Sequence, residues 1–168
     1  MADGDKSGGP RITEGDAGAS TLHIAVVVSR FNEVVTARLL EGALDALARS
    51  RAADDRVEVV RVPGAWEIPL AAQALAATGR FAAIVALGCV VRGGTPHFEY
   101  VCAEATRGLT RVSLDHGIPV GLGVLTCDTM DQALDRAGGK HGNKGAEAAL
   151  SAIEMANLLR RVGRTGPG

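Results

Sequence analysis

Apolar and polar positions fall along this chain in blocks of two kinds. Short, almost wholly apolar runs rich in β-branched residues recur at 22–29 (LHIAVVVS), 57–62, 81–90 and 119–125. Runs of that length and make-up fit strands buried on both faces, as in a parallel sheet. Between them lie segments with helical spacing. Residues 32–50 place Thr36, Leu40, Ala43 and Leu47 on one face, and residues 145–161 align Ala149, Ile153, Ala156 and Arg160. Shorter helices are expected over 67–78, stopped by Gly79, and over 130–137, broken by Gly138-Gly139. A helix over 96–116 opens on Thr95-Pro96 and ends at Gly117, a residue suited to the position just past a helix. Alternation of strand and helix builds βαβ units. The expected fold class is therefore α/β, a three-layer, flavodoxin-like sandwich whose four-stranded parallel sheet is flanked by helices on both faces.

The two ends depart from this pattern. Residues 1–20 are rich in Gly, Asp and Ser with almost no apolar side chains, and read as a flexible tail; residues 163–168 read as a second, shorter one. Residues 21–162 then make a single domain, and a chain of 168 residues is long enough to build a proper core.

In open α/β sheets, ligands bind beyond the carboxyl ends of the strands. Here those ends carry Arg30-Phe31-Asn32, Gly64-Ala65-Trp66-Glu67, the Gly93-to-His97 bend and Thr126-Cys127-Asp128. The third is the most informative. An apolar run leads into Gly88-Cys-Val-Val-Arg-Gly-Gly-Thr-Pro-His-Phe-Glu-Tyr100, a glycine-rich bend that opens a helix with His97 in its first turn. Glycines let backbone N–H groups approach a ligand closely, and a helix start favours a phosphate. An imidazole beside that anion could move protons near neutral pH. Each part has a plainer reading: a Gly-Gly turn, and a solvated histidine.

Other residues also carry two readings. Phe31 is either a hydrophobic staple for the following helix or a shelf for a flat heterocycle. Glu67 either favours a helix start electrostatically or accepts hydrogen bonds from ring N–H or sugar hydroxyl groups. Arg136 suits a helix end for generic reasons, yet with Lys140, His141 and Lys144 it flanks a glycine bend where a guanidinium could grip phosphate. Lys140 and Lys144 also fit a solvated basic loop.

Composition narrows the field. A net charge of −1 with both signs interspersed gives no basic field for nucleic acid or an anionic membrane. Cys89, Cys102 and Cys127 show no CxxC or metal-type spacing, and sit within apolar segments as reduced, structural thiols. No apolar run reaches membrane-spanning length and no signal-peptide core opens the chain, so a soluble cytoplasmic protein is expected. Walker, GxGxxG, serine-elbow and HExxH patterns are lacking, which weighs against nucleotide hydrolysis, dinucleotide binding and zinc chemistry.

Taken together, these segments resemble the lumazine synthase family. The matching pieces are Ser29-Arg-Phe-Asn32, Val62-Pro-Gly-Ala-Trp-Glu-Ile-Pro69, Gly88 to Tyr100, Gly123-Val-Leu-Thr-Cys-Asp-Thr129 and Gln132 to Ala149, in the family's order, from Leu22 to about Leu159. The resemblance implies condensation of 5-amino-6-(D-ribitylamino)uracil with 3,4-dihydroxy-2-butanone 4-phosphate to 6,7-dimethyl-8-ribityllumazine, the penultimate step of riboflavin synthesis, with no cofactor and no metal. By resemblance, Phe31 and Asn32 contact the pyrimidine substrate, and Ala65, Trp66 and Glu67 line its ring and ribityl pocket. Backbone groups of Cys89, Val90 and Val91 meet the polar edge of the ring. Gly94, Thr95 and Arg136 hold the phosphate, assisted by Lys144, and His97 transfers protons. Two departures stand out: Ala65 where many members have Ser, and Leu122 where an aromatic is frequent. The resemblance further implies pentamers in which Leu122, Arg136 and Lys144 come from a neighbouring subunit. The short Gly138-to-Asn143 linker is similar to that of members that build sixty-subunit icosahedral shells, and riboflavin synthase is an implied partner. The rival expectations are a non-catalytic flavin-binding or shell-forming protein on the same fold, and a generic flavodoxin-like phosphate binder.

Overall fold

The first apolar run forms β1 (Ile24–Ser29), every residue of which is buried. Ile24, Val26 and Val28 pack into one core cluster, whereas Ala25 and Val27 pack into another. A strand covered on both faces needs apolar side chains at every position, so the run shows no polar alternation. The chain is described here by a computed structural model covering residues 9–164. β1 lies inside a parallel sheet of order β2-β1-β3-β4, formed with β2 (Val57–Val62), β3 (Ala83–Val91) and β4 (Val120–Cys127).

Helices cover both faces, as the alternation of elements predicts. α1 (Glu33–Arg49) and the last helix, α5 (Lys144–Arg164), enclose Leu39, Leu47, Val85, Leu87 and Ile153 on one side. α2 (Ile68–Ala77) and α3 (His97–His116) enclose Val27, Ile68, Ala86, Leu109 and Val112 on the other. α3 stops at Gly117, which takes the left-handed conformation expected of it (φ 60°).

Three features differ from the sequence expectations. The bend after α4 (Met130–Asp135) is a small antiparallel hairpin, β5 (Ala137–Gly139) with β6 (Gly142–Asn143), made possible by positive φ at Gly138 and Gly142. Asn143 then accepts hydrogen bonds from the N–H groups of Gly145 and Ala146 at 2.9 and 3.1 Å, opening α5, and donates to the carbonyl of Arg38 on α1 at 2.9 Å. β4 runs two residues further than its apolar pattern, with Thr126 and Cys127 paired to Val90 and Val91.

The flexible tail expected through residue 20 is corrected for its later part. Ala19 is fully buried and its N–H donates to the carbonyl of Ser50 at 2.8 Å. Asn157 of α5 donates to the carbonyls of Asp16 and Gly18, each at 2.8 Å, and Arg161 binds Asp16 and the carbonyl of Glu14. Gly15 lies so close to α5 that a β-carbon there would sit 1.9 Å from the carbonyl oxygen of Glu154. Hydrogen bonds rather than apolar contacts fix most of this strip, so hydropathy does not reveal it. At the other end Gly163 belongs to α5 rather than to a tail. The remaining tail expectations, 1–8 and 165–168, lie outside the described residues.

Candidate active site

Past the carboxyl ends of β1, β2 and β3 lies a cavity of about 350 Å³. Phe31, Ala65, Trp66, Cys89, Val90, Val91, Thr95 and His97 line it, so eight of the fourteen sequence-derived candidates converge on one space. The elements explain how. After β1 the chain keeps following β2, with Arg30 N–H donating to Val62 O at 2.8 Å and Phe31 N–H to Pro63 O at 3.0 Å. Asn32 then turns it sharply in the left-handed conformation (φ 59°), which asparagine tolerates better than most residues. Phe31 is left 71% exposed at the cavity wall, which rules out the staple reading, and Trp66 is 57% exposed beside it. Two aromatic faces open to solvent at one rim make a stacking shelf.

Asn32 itself does not line the cavity. Its side-chain amide donates to the carbonyl of Cys89 at 2.9 Å, clamping the end of β1 to β3. Pairing between these strands ends at Val28–Leu87, yet β3 continues to Val91. Beyond Leu87, the β1-facing edge of β3 is thus bordered by the cavity instead of by a strand. Backbone polar groups along that edge therefore have no β1 partner in the ladder. Glu67 is drawn into a structural role: Gly64 N–H donates to its carboxylate at 2.9 Å, and Glu67 N–H returns a bond to Gly64 O at 3.3 Å. That bracket sets the Ala65–Glu67 turn that presents Trp66.

The glycine bend connects β3 to α3. Gly93 and Thr95 are among the lining residues, and a β-carbon at Gly93 or Gly94 would meet nothing within 4 Å. Internal packing therefore does not require glycine at either position. His97 is the first residue of α3, exposed, and lines the cavity. Phe98 and Val101 continue the lining from the same helix. Sequence reasoning missed these two, although residues 97, 98 and 101 share a helical face.

Burial pushes the Cys89 thiol up to about 12, reinforced by the Cys127 and Cys102 thiols nearby. At Cys127, burial likewise raises the thiol pKa, opposed by the Arg136 guanidinium. Such thiols stay protonated, and are poor nucleophiles and poor metal ligands.

The remaining candidates stand elsewhere. Leu122 and Lys144 border a separate hollow of about 380 Å³ along β4, the other edge of the sheet, together with Gly121, Glu147 and Met155. Lys144 is paired there with Glu147 at 2.6 Å, a partner that sequence reasoning did not assign. Arg136 ends α4, half-buried, with its guanidinium donating to Gln132 O at 3.0 Å. Within one chain, then, the aromatic shelf and His97 are on one side and Leu122, Arg136 and Lys144 are outside that cavity. Arg92, also unassigned from sequence, bridges β3 to Asp128 at 2.7 Å and stacks over the Phe98 ring at 4.4 Å.

Comparison with known proteins bears on the same residues. Residues 21–160 match the family described as 6,7-dimethyl-8-ribityllumazine synthase. This chain belongs to that family. A protein of that name from Desulfatibacillum aliphaticivorans is 55% identical over 152 residues, covering 90% of this chain and 98% of its own length. Another of the same name, from Syntrophus aciditrophicus (strain SB), is 54% identical over 153 residues, covering 91% of this chain and 99% of its own. The match to the lumazine synthase family spans β1 through most of α5, so it includes both the cavity and the hollow along β4. None of the described helices is long and apolar enough to cross a membrane.

Proposed function

We propose that the protein condenses 5-amino-6-(D-ribitylamino)uracil with 3,4-dihydroxy-2-butanone 4-phosphate, releasing phosphate and water as 6,7-dimethyl-8-ribityllumazine forms. The observation that carries this reading is the cavity itself: an aromatic shelf, an exposed strand edge and an imidazole at a helix start around one space, in a chain of this family. The pyrimidine ring lies against Phe31 with Trp66 beside it, and its polar edge meets backbone groups of Cys89, Val90 and Val91. Ala65 and Glu67 border the ribityl chain; Asn32 serves through its clamp on Cys89. Gly94 and Thr95 take the phosphate at the start of α3, where backbone N–H groups and the helix dipole favour an anion. Chemistry then asks for imine formation at the ketone, loss of phosphate, ring closure by the ribityl-bearing nitrogen, and dehydration. Each step moves a proton, and His97 is within reach of the same space.

Arg136, Lys144 and Leu122 complete the site from a neighbouring copy. The aromatic wall of one chain is open, and the hollow along β4 exposes apolar side chains that a second copy would cover. Closed rings generated by such head-to-tail contacts fit pentamers, and further packing fits a sixty-subunit icosahedral shell. Association with riboflavin synthase and residence in the cytoplasm belong to the same reading.

A complementation experiment tests the shared site. The parent protein forms lumazine from the two substrates, followed by absorbance and fluorescence. His97→Ala and Arg136→Ala each slow the reaction by about a hundredfold. Co-assembled in equal amounts, they recover roughly a quarter of parental activity, because random mixing around a closed ring restores that share of sites. A mixture no better than the two separate variants excludes a site built from two chains.

A further inference from the structure

We infer that Arg92 is a positioning residue that holds the Gly93-to-His97 bend in its phosphate-receiving shape, an inference that rests on the reaction proposed above. Arg92 follows the last residue of β3, and its N–H extends the ladder to β4 by donating to Cys127 O at 2.9 Å. Its side chain then reaches three ways. Nε donates to Oδ1 of Asp128 at 2.7 Å, Nη1 lies 3.4 Å from Oε1 of Glu99, and the guanidinium plane sits 4.4 Å from the centre of the Phe98 ring. One planar group therefore joins the end of β3, the end of β4 and the first turn of α3.

Those are the elements that frame the bend. Between its two stems the chain runs through Gly93 and Gly94, whose backbones have no nearby atoms where a side chain would stand. Glycines give such a loop many alternative conformations, so its shape depends on how firmly the stems are held. Arg92 fixes the strand stem, and through Phe98 and Glu99 also the helix stem. Phe98 lines the cavity next to His97, so the stacked guanidinium also backs the wall against which the imidazole stands.

Asp128 carries the connection onward. Its N–H donates to the Gln132 side chain at 2.9 Å, and the Gln132 carbonyl accepts from Arg136 at 3.0 Å. The bend and Arg136 are thus two ends of one chain of contacts in each subunit. Lysine could supply the charge but not the fork and the flat stacking face. Because Arg92, Asp128 and Glu99 are all exposed, these ion pairs contribute little to global stability, and their effect belongs to geometry.

The test uses Arg92→Gln, Arg92→Lys and Asp128→Asn in the full-length assembled protein. Arg92→Gln and Asp128→Asn are expected to raise KM for the butanone phosphate about tenfold while leaving KM for the ribitylaminouracil within about twofold, since loss of positioning acts on one end of the site. Thermal midpoint and particle mass remain those of the parent. Arg92→Lys recovers only a minor part of the loss, and hydrogen exchange at residues 93–97 quickens in Arg92→Gln. Unchanged exchange overturns the inference, as does full recovery by lysine, or a fall in kcat that tracks a lowered thermal midpoint with both KM values intact. A parent that forms no lumazine would refute the proposed reaction instead, and the exchange measurement would still decide whether Arg92 holds the bend.

Discussion

Cys89 offers its backbone while its side chain is kept inert. Its carbonyl accepts the Asn32 clamp and its main chain borders the cavity, whereas its thiol is buried between β3 and the α1–α5 layer. Burial raises that thiol from 9.0 to about 12 in the fold. The unfolded chain therefore loses the proton first, and the contribution to stability is present below pH 9 and declines as pH rises toward 12. Thermal midpoints measured from pH 8 to 11 should fall more steeply for the parent than for Cys89→Ala, which carries a constant packing loss but no titrating group. Parallel curves would show that the thiol does not contribute. At this scale the sequence was most legible where chemistry depends on neighbours along the chain: Phe31 after a strand, Trp66 after Pro63-Gly64, His97 at a helix start. Arg92 and Glu147 were missed because their partners, Asp128 and Lys144, are set by sheet register and by a helix turn that begins only after an unforeseen hairpin.

Elements meet closely in this fold at glycines that carry no turn. A β-carbon at Gly121 in β4 would stand 2.1 Å from the carbonyl oxygen of Ala148 in α5, a backbone atom that cannot swing aside. Gly121→Ala should accordingly shift α5 off the sheet and cost about 1–3 kcal/mol in urea unfolding, the usual range for overpacking. Gly93→Ala, with open space around it, should stay within about 0.5 kcal/mol of the parent. Equal losses at the two sites would refute this account of α5 packing. The strands themselves were readable because β1 and β3, buried on both faces, had to be apolar throughout. The β5–β6 hairpin was not readable: its five residues, Ala-Gly-Gly and Gly-Asn, are too few and too small to show a period. The strip at 14–18 was hidden for a related reason, since polar groups rather than apolar ones tie it to α5.

At the scale of the whole molecule, the edge formed by β4 stands out. Leu122 is 55% exposed and Leu114 on α3 is 78% exposed, and both border a hollow of about 210 Å³ that adjoins the larger one. An apolar sheet edge of this sort favours association. Leu122→Asp, at a position that contributes little to the chain's own core, should preserve secondary structure and thermal unfolding of the subunit. It should also lower the mass measured by light scattering, with lumazine formation falling in step. Retained mass with retained activity would remove Leu122 from the contact. Residue spacing alone did not reveal that Leu122, Arg136 and Lys144 stand outside the cavity lined by Phe31 and His97, because their separation is set by the sheet order and not by position along the chain.

The strip at 14–18 is anchored near the carboxyl-terminal half of α5, whose residues 156, 159 and 160 border the start of β4. That end of the sheet is opposite the one where Phe31 and His97 stand. A label carried on the exposed Ala17 of that strip would therefore sit on the far rim, so the fold comes with an attachment point remote from the aromatic wall.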